Sequence, residues 1–217
     1  MLVAGFPSPV TDTNCYVVAS RPGEQCVIVD PGIDIGGELG QVIEEHRLHP
    51  IAVLATHGHY DHTFSVFPVC QAHDVPAYIH PADRTQLTDP WSGLGRPYGS
   101  PLPGLANLTL AEPDDVRELA DGAVLELAGL HFGVRHAPGH TPGSVTFDLD
   151  ELLFSGDVLF AGSIGRTDLP GGSMTRMRES LQRVILRLDD EITVLPGHGP
   201  ATTVGAERAT NPYLRDL

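Results

Sequence analysis

The sequence predicts an α/β fold in four layers, two packed sheets with helices on both outer faces (αββα), and three observations predict it. Strand-like apolar runs fall into two groups, one early and one late in the chain, and each group is accompanied by helical patterns. At 217 residues the chain suits one domain, 1–217, with a sizeable core and no linker. With 41% hydrophobic and 19% charged residues and no repeats, the composition is that of an ordinary globular protein.

In order, "NCYVVAS" and "CVIVD" read as two strands around a turn at "RPGEQ". "GGELGQVIEEHRL" carries Leu39, Val42, Ile43 and Leu48 on a helical face, and "IAVLA" is a buried strand. The cluster behind it opens a helix with Asp61 in its first turn, which Pro68 shortens or kinks. From Thr88 to Pro113 the chain is rich in Pro and Gly and reads as a long binding loop or lid. Strands resume with "AVLEL", "LHFGVRHA", "SVTFDL" and "ELLFSG". An amphipathic helix over "SMTRMRESLQRVILRLDD", a strand "ITVLP" and a short helix "VGAERATN" complete the pattern.

Charge and composition exclude several classes of function. The formal net charge of −15 argues against a nucleic-acid surface. All 13 basic residues are arginines, so no lysine is present to form a Schiff base or serve a phosphate loop. No run approaches a membrane span, and "MLVAGFPSPV" has no signal-peptide pattern. Three cysteines without CxxC spacing fit reduced thiols, so a soluble, cytoplasmic protein is expected.

The chemistry lies at strand ends. "VLATHGHYDH", "VRHAPGHTPGS", "LLFSGDVLF" and "TVLPGHGP" each place His or Asp beside glycine after an apolar run. Together they offer His57, His59, Asp61, His62, His140, Asp157 and His198. Five imidazoles and two carboxylates are nitrogen and oxygen ligands suited to Zn, Fe or Mn, and too many for one tetrahedral ion. Two divalent metals sharing Asp157 would use all seven. Asp30, His80 and His136 are candidates to support the ligands from behind, each against an ordinary packing or turn role.

The motifs "THGHYDH", "APGHTPGS", "FSGDVLF", "GSIGRTDLPGG" and "LPGHGP", in that order, resemble the metallo-β-lactamase-fold hydrolase superfamily, and within it the glyoxalase II-like (hydroxyacylglutathione hydrolase-like) branch. The resemblance implies the four-layer metallo-β-lactamase fold. It also implies one metal on His57, His59 and His140, a second on Asp61, His62 and His198, and Asp157 as the bridge. Zinc is the metal it favours. The implied reaction is hydrolysis of a small-molecule thioester, with Asp61 orienting the nucleophile or carrying its proton. Only 19 residues follow His198, so the C-terminal helical region with which glyoxalase II binds glutathione is not expected. Substrate contacts are then sought in Trp91, Arg96 and Tyr98 of the long loop and in Arg166, which could instead pair with Asp168.

Two other readings stand beside it. Persulfide dioxygenases resemble the chain too, and would bind a single iron through His57, His140 and Asp157. A metal-binding protein without activity is the third. A class B1-type β-lactamase would carry cysteine at position 157. The alternating apolar faces are all accounted for by core and specify no oligomeric interface.

Overall fold

The computed structural model describes residues 1–102, 110–215 and 217. Its first sheet contains β1 (Leu2–Pro7), β2 (Asn14–Ala19), β3 (Gln25–Val29), β4 (His49–Leu54), β5 (Ala77–Ile79) and β6 (Val116–Glu118), in that spatial order. The second contains β7 (Val124–Leu127), β8 (Leu130–His136), β9 (Val145–Leu149), β10 (Leu152–Gly156), β11 (Thr193–Pro196) and β12 (Thr202–Thr203), again in sequence order across the sheet. Pairing is antiparallel from β1 to β3 and parallel from β3 to β6. In the second sheet only β10 and β11 run parallel.

Strand alternation creates the layers. Along β2, Cys15, Val17 and Ala19 point to an outer core while Tyr16 and Val18 point to the seam between the sheets. Along β3, Cys26 and Ile28 face outward and Val27 and Val29 inward. This two-residue period lets one strand serve two cores. The seam is filled from the other side by Phe132, Phe147 and Phe154, all fully buried. Each such ring contributes roughly 1.5–3 kcal/mol of burial energy.

Helices cover both outer faces. On the first sheet, α1 (Gly36–His46) and α3 (Val66–His73) bring Leu39, Val66, Val69 and Cys70 onto the core. On the second, α5 (Met174–Ser180), a wider π-type turn over Leu181–Ile185, and α6 (Val204–Thr210) contribute Met177, Leu181, Val184, Ile185 and Val204. The four-layer αββα sandwich expected from the sequence is what forms.

Three local outcomes differ from the sequence reading. The helix after the histidine cluster is two pieces, α2 (Tyr60–Thr63) and α3, and Pro68 lies in the first turn of α3, where its missing N–H is not needed. The long loop contains α4 (Pro90–Leu94), capped by Asp89, whose side chain accepts from Ser92 N, with Pro90 at its first position. Residues 103–109 of that loop lie outside the described residues. Strands β1, β5, β6 and β12 were not expected. Among the described residues no helix is long and apolar enough to cross a membrane.

At one edge the sheets are joined through backbone. Val145 N donates to Thr56 O at 2.8 Å, Asn14 N donates to Gly197 O at 2.7 Å, and Thr13 bridges His198. The ligand candidates gather at this edge.

Candidate metal centre

Each ligand candidate sits just beyond a strand. His57, His59, Asp61 and His62 follow β4, with His59 in extended conformation at the start of α2 so that the chain turns directly into Asp61 and His62. His140 follows β8, Asp157 follows β10 and His198 follows β11. The structure brings all seven together, in the groups His57–His59–His140, His57–His62–Asp157 and Asp61–His62–His198.

The distances are those of ligand atoms around shared ions. His59 Nδ1 lies 2.8 Å from His140 Nε2, which lies 3.2 Å from His57 Nε2. Asp157 Oδ2 is 3.4 Å from His140 Nε2, and Asp157 Oδ1 is 3.4 Å from His62 Nε2. Asp61 Oδ2 lies 3.2 Å from His198 Nε2 and 3.7 Å from His62 Nε2. Two nitrogens bound tetrahedrally to zinc at about 2.0–2.1 Å stand about 3.3 Å apart. Asp157 thus faces both groups, and its Oδ2 also lies 3.8 Å from His198 Nε2.

The buried polar atoms call for an ion. His62 Nε2 and Asp157 Oδ1 are buried and have no hydrogen-bond partner, which is costly unless something else satisfies them. Position 197 leaves the room: a Cβ there would come within 2.3 Å of Asp157 Oδ1 and 2.6 Å of His62 Cε1, so only glycine keeps the pocket open.

A surrounding shell fixes which nitrogen of His57, His62 and His140 faces the site. Asp30 accepts from Thr56 N at 2.7 Å through Oδ1, and through Oδ2 from Thr56 Oγ1 at 2.7 Å and His62 Nδ1 at 3.0 Å. Because the Thr56 proton is committed to Asp30, its oxygen accepts from His57 Nδ1 at 3.1 Å. His140 Nδ1 donates to Arg166 O at 2.7 Å. Each of these contacts leaves Nε2 facing inward, as an acceptor on His57 and His140 and available on His62 once its proton is released, the arrangement metal-binding histidines usually have. Asp30 therefore takes the supporting role weighed for it in the sequence. Its backbone is left-handed (φ 50°), a conformation aspartate tolerates better than most residues.

The His198 loop is tied from the other sheet. Asn14 Nδ2 donates to Pro196 O at 3.0 Å and Gly199 O at 2.8 Å, and the Tyr16 hydroxyl donates to Pro196 O at 2.8 Å. Behind His59, its Nε2 and the Gln86 amide oxygen are both buried without a partner, and both border Gly93. A Cβ on Gly93 would lie 1.9 Å from Gln86 Oε1 and 3.2 Å from His59 Cδ2. Thr56, Asn14 and Asp83 escaped the sequence reading, since each has a partner 25 or more residues away in the chain.

Electrostatics divides the site. Burial, aided by the other imidazoles, pushes His57 well down, and burial is also the main reason that His59 and His140 fall to about 4. These three rings are neutral and ready to ligate at pH 7. Burial would lower His62 as well, but Asp157, Asp61 and Asp30 outweigh it and raise His62 to about 10. His198 is raised in the same way, burial being outweighed by its bond to Asp61 and the charge of Asp157. Burial alone would raise Asp61, yet His62 and His198 hold it well below the usual carboxylate range. Asp157 is raised by burial.

The remaining candidates lie outside the cluster. Arg166 pairs with Asp168 at 2.7–2.8 Å on the surface, while its carbonyl holds His140. Trp91 is buried with its indole N–H on Ser100 O at 2.8 Å, and anchors its loop. Tyr98 is 78% exposed and packs on Trp91 with ring centroids 4.5 Å apart. His80 and His136 stack on each other at 4.2 Å, and neither belongs to the ligand groups.

The chain is similar to several known proteins. The hydroxyacylglutathione hydrolase GloC of Haemophilus influenzae is 35% identical over 95% of both chains. The crystal structure of BLEG-1, a B3 metallo-beta-lactamase, superposes with a TM-score of 0.85 at 38% identity, covering 98% of this chain and 99% of that one. TTHA1623 in a di-iron-bound form gives 0.79 at 38% identity, over 99% and 100%. The family model of the metallo-beta-lactamase superfamily matches residues 8–198, from the loop before β2 to the last ligand, and the chain belongs to that superfamily.

Proposed function

We propose that the protein is a binuclear metal-dependent hydrolase acting on the thioester of a small thiol. The observation that carries the reading is the convergence of two three-residue groups, His57–His59–His140 and Asp61–His62–His198, on the two oxygens of Asp157. Divalent ions bound there would activate a water and polarise a carbonyl oxygen. Zinc suits this nitrogen-rich set best; iron and manganese share its ligand preferences, and a di-iron form exists in a relative 38% identical.

The chain's own groups fit hydrolysis. Asp61 is held ionised and receives a hydrogen bond from the Thr13 hydroxyl at 3.4 Å, so its carboxylate can accept a hydrogen bond from an attacking water and orient it. A thiolate leaves without protonation, so a thioester needs no further acid at this site. Arg166 and Tyr98 present exposed side chains on segments that also touch His140 and His59, and we place substrate contacts there, with Trp91 holding Tyr98. The hydroxyacylglutathione hydrolase named among the relatives supports the thioester assignment. Three free, buried cysteines fit a reducing compartment, and we place the protein in the cytoplasm.

The resemblance to a B3 metallo-beta-lactamase supports a second substrate class, the β-lactam amide, at the same centre. Elemental analysis together with a panel of thioesters, esters, lactones and β-lactams tests both. Close to two metals per chain with thioester turnover abolished by chelation is expected, and Asp157→Ala should lose both metal and turnover. One iron per chain with oxygen uptake on a persulfide would replace the reading by a mononuclear dioxygenase.

A further inference from the structure

We infer that Asp83 is a positioning residue for the first metal position, holding the His57–His59 loop and the His140 loop at the separation a shared ion requires. The inference rests on the binuclear reading and deepens it. Asp83 is fully buried and is the residue preceding a 3₁₀ turn over Arg84–Leu87. An aspartate at such a place usually caps its own turn. Here the carboxylate makes no such bond.

It reaches instead to both ligand loops. Oδ2 accepts from Gly58 N at 2.9 Å, the amide between His57 and His59, and from Thr141 Oγ1 at 2.6 Å, directly after His140. Oδ1 accepts from Gly143 N at 2.9 Å. The approach is close enough that a Cβ at position 143 would stand 2.6 Å from Asp83 Cγ. The first loop belongs to one sheet and the second to the other, so one carboxylate joins them across the seam.

Among the described residues no cation pairs with Asp83. The neighbouring Arg84 turns away to Glu112 at 2.6 Å. Three hydrogen bonds to the carboxylate are what compensate its burial. Their geometric result is the 2.8 Å contact between His59 Nδ1 and His140 Nε2. Asp83 touches no ligand atom itself, and it acts through the two loops.

The test is a cobalt(II) titration of the metal-depleted full chain, followed by visible absorption and by competition with a chelator. Wild-type protein should bind two cobalt ions. Asp83→Asn, which keeps the shape but turns one acceptor into a donor facing an N–H, should weaken the first position by roughly 10–100-fold and alter its spectrum. The second site should change less. Arg84→Ala, on the same turn, should leave both affinities and the spectrum as in wild type. If Asp83→Asn does not fold, Thr141→Val removes one of the three bonds, and a loss of about threefold or more at the same site is expected. Wild-type affinity and spectrum in a folded Asp83→Asn, or in Thr141→Val where that is the variant measured, would overturn the inference. Failure of wild-type protein to bind two ions would overturn the binuclear reading instead.

Discussion

Thr56→Val is the sharpest perturbation of the ligand support. The threonine is 2% exposed, and its hydroxyl donates to Asp30 at 2.7 Å while accepting from His57 Nδ1 at 3.1 Å. Valine fills the same volume without the hydroxyl, so no cavity contributes. A hydrogen bond to a charged acceptor is worth about 1.5–3 kcal/mol, and a buried N–H left without a partner costs about 1–3 kcal/mol. The sum, about 2.5–6 kcal/mol, corresponds in a domain of this size to a fall in Tm of roughly 5–24 °C. Thr56→Ser keeps the hydroxyl and should lose only about 1 kcal/mol, for one buried methyl. Scanning calorimetry on metal-depleted protein isolates the structural part, and zinc competition measures the rest, expected to weaken roughly tenfold or more. If the valine variant shifts by less than about 2 °C and holds zinc within about twofold of wild type, the relay from His57 through Thr56 to Asp30 is refuted.

Metal affinity should depend on pH differently at the two positions. His59 and His140, held near 4, carry no proton to displace between about pH 5 and 8, so the first ion should bind with a nearly flat profile. His62, raised to about 10, is protonated in the metal-free chain and must release that proton, and His198, also raised, adds to the release, so the second ion should bind at least roughly tenfold tighter per pH unit across the same window; equal slopes by calorimetric titration would contradict this. Gly93→Ala should displace the Gln86 amide oxygen, 1.9 Å from the new Cβ, and press on His59, lowering both Tm and the affinity of the first position; wild-type values would show that the helix can move aside. Burial pushes the Cys26 and Cys70 thiols up to about 12 and Cys15 also upward, so iodoacetamide at pH 8 should label none of them until denaturant is added, as read by intact mass.

The cluster that could hold metal was legible because its chemistry restricts residue type. Few contexts place His or Asp beside glycine after four separate apolar strands, and His57, His140, Asp157 and His198 met in space as their positions implied. The layers were legible because the β2 and β3 residues alternate between two cores. The short strands were not: β5 and β6 have three residues each and β12 has two, too few to display a period. β1, with Gly5 and Pro7 in six residues, is an edge strand whose propensity is poor. The supporting shell was hidden for another reason. Asp83 stands in "HPADR", which reads as a turn, and its partners lie 25, 58 and 60 residues away. Only the folded topology brings an acceptor to those amides.

The way the ligands are shared has a consequence beyond the chemistry. The first group draws His57 and His59 from the amino-terminal sheet and His140 from the carboxy-terminal one; the second draws Asp61 and His62 from the former and His198 from the latter, and Asp157 belongs to the latter. Any ion seated there is a clasp between the halves, at the edge where Thr56 meets Val145 and Asn14 meets Gly197. A chain whose sheets have docked one residue out of step can complete neither group, so the ability to hold an ion there would certify correct assembly. Starved of metal, the same chain would open first at this rim, while the phenylalanine-filled interior kept the halves together.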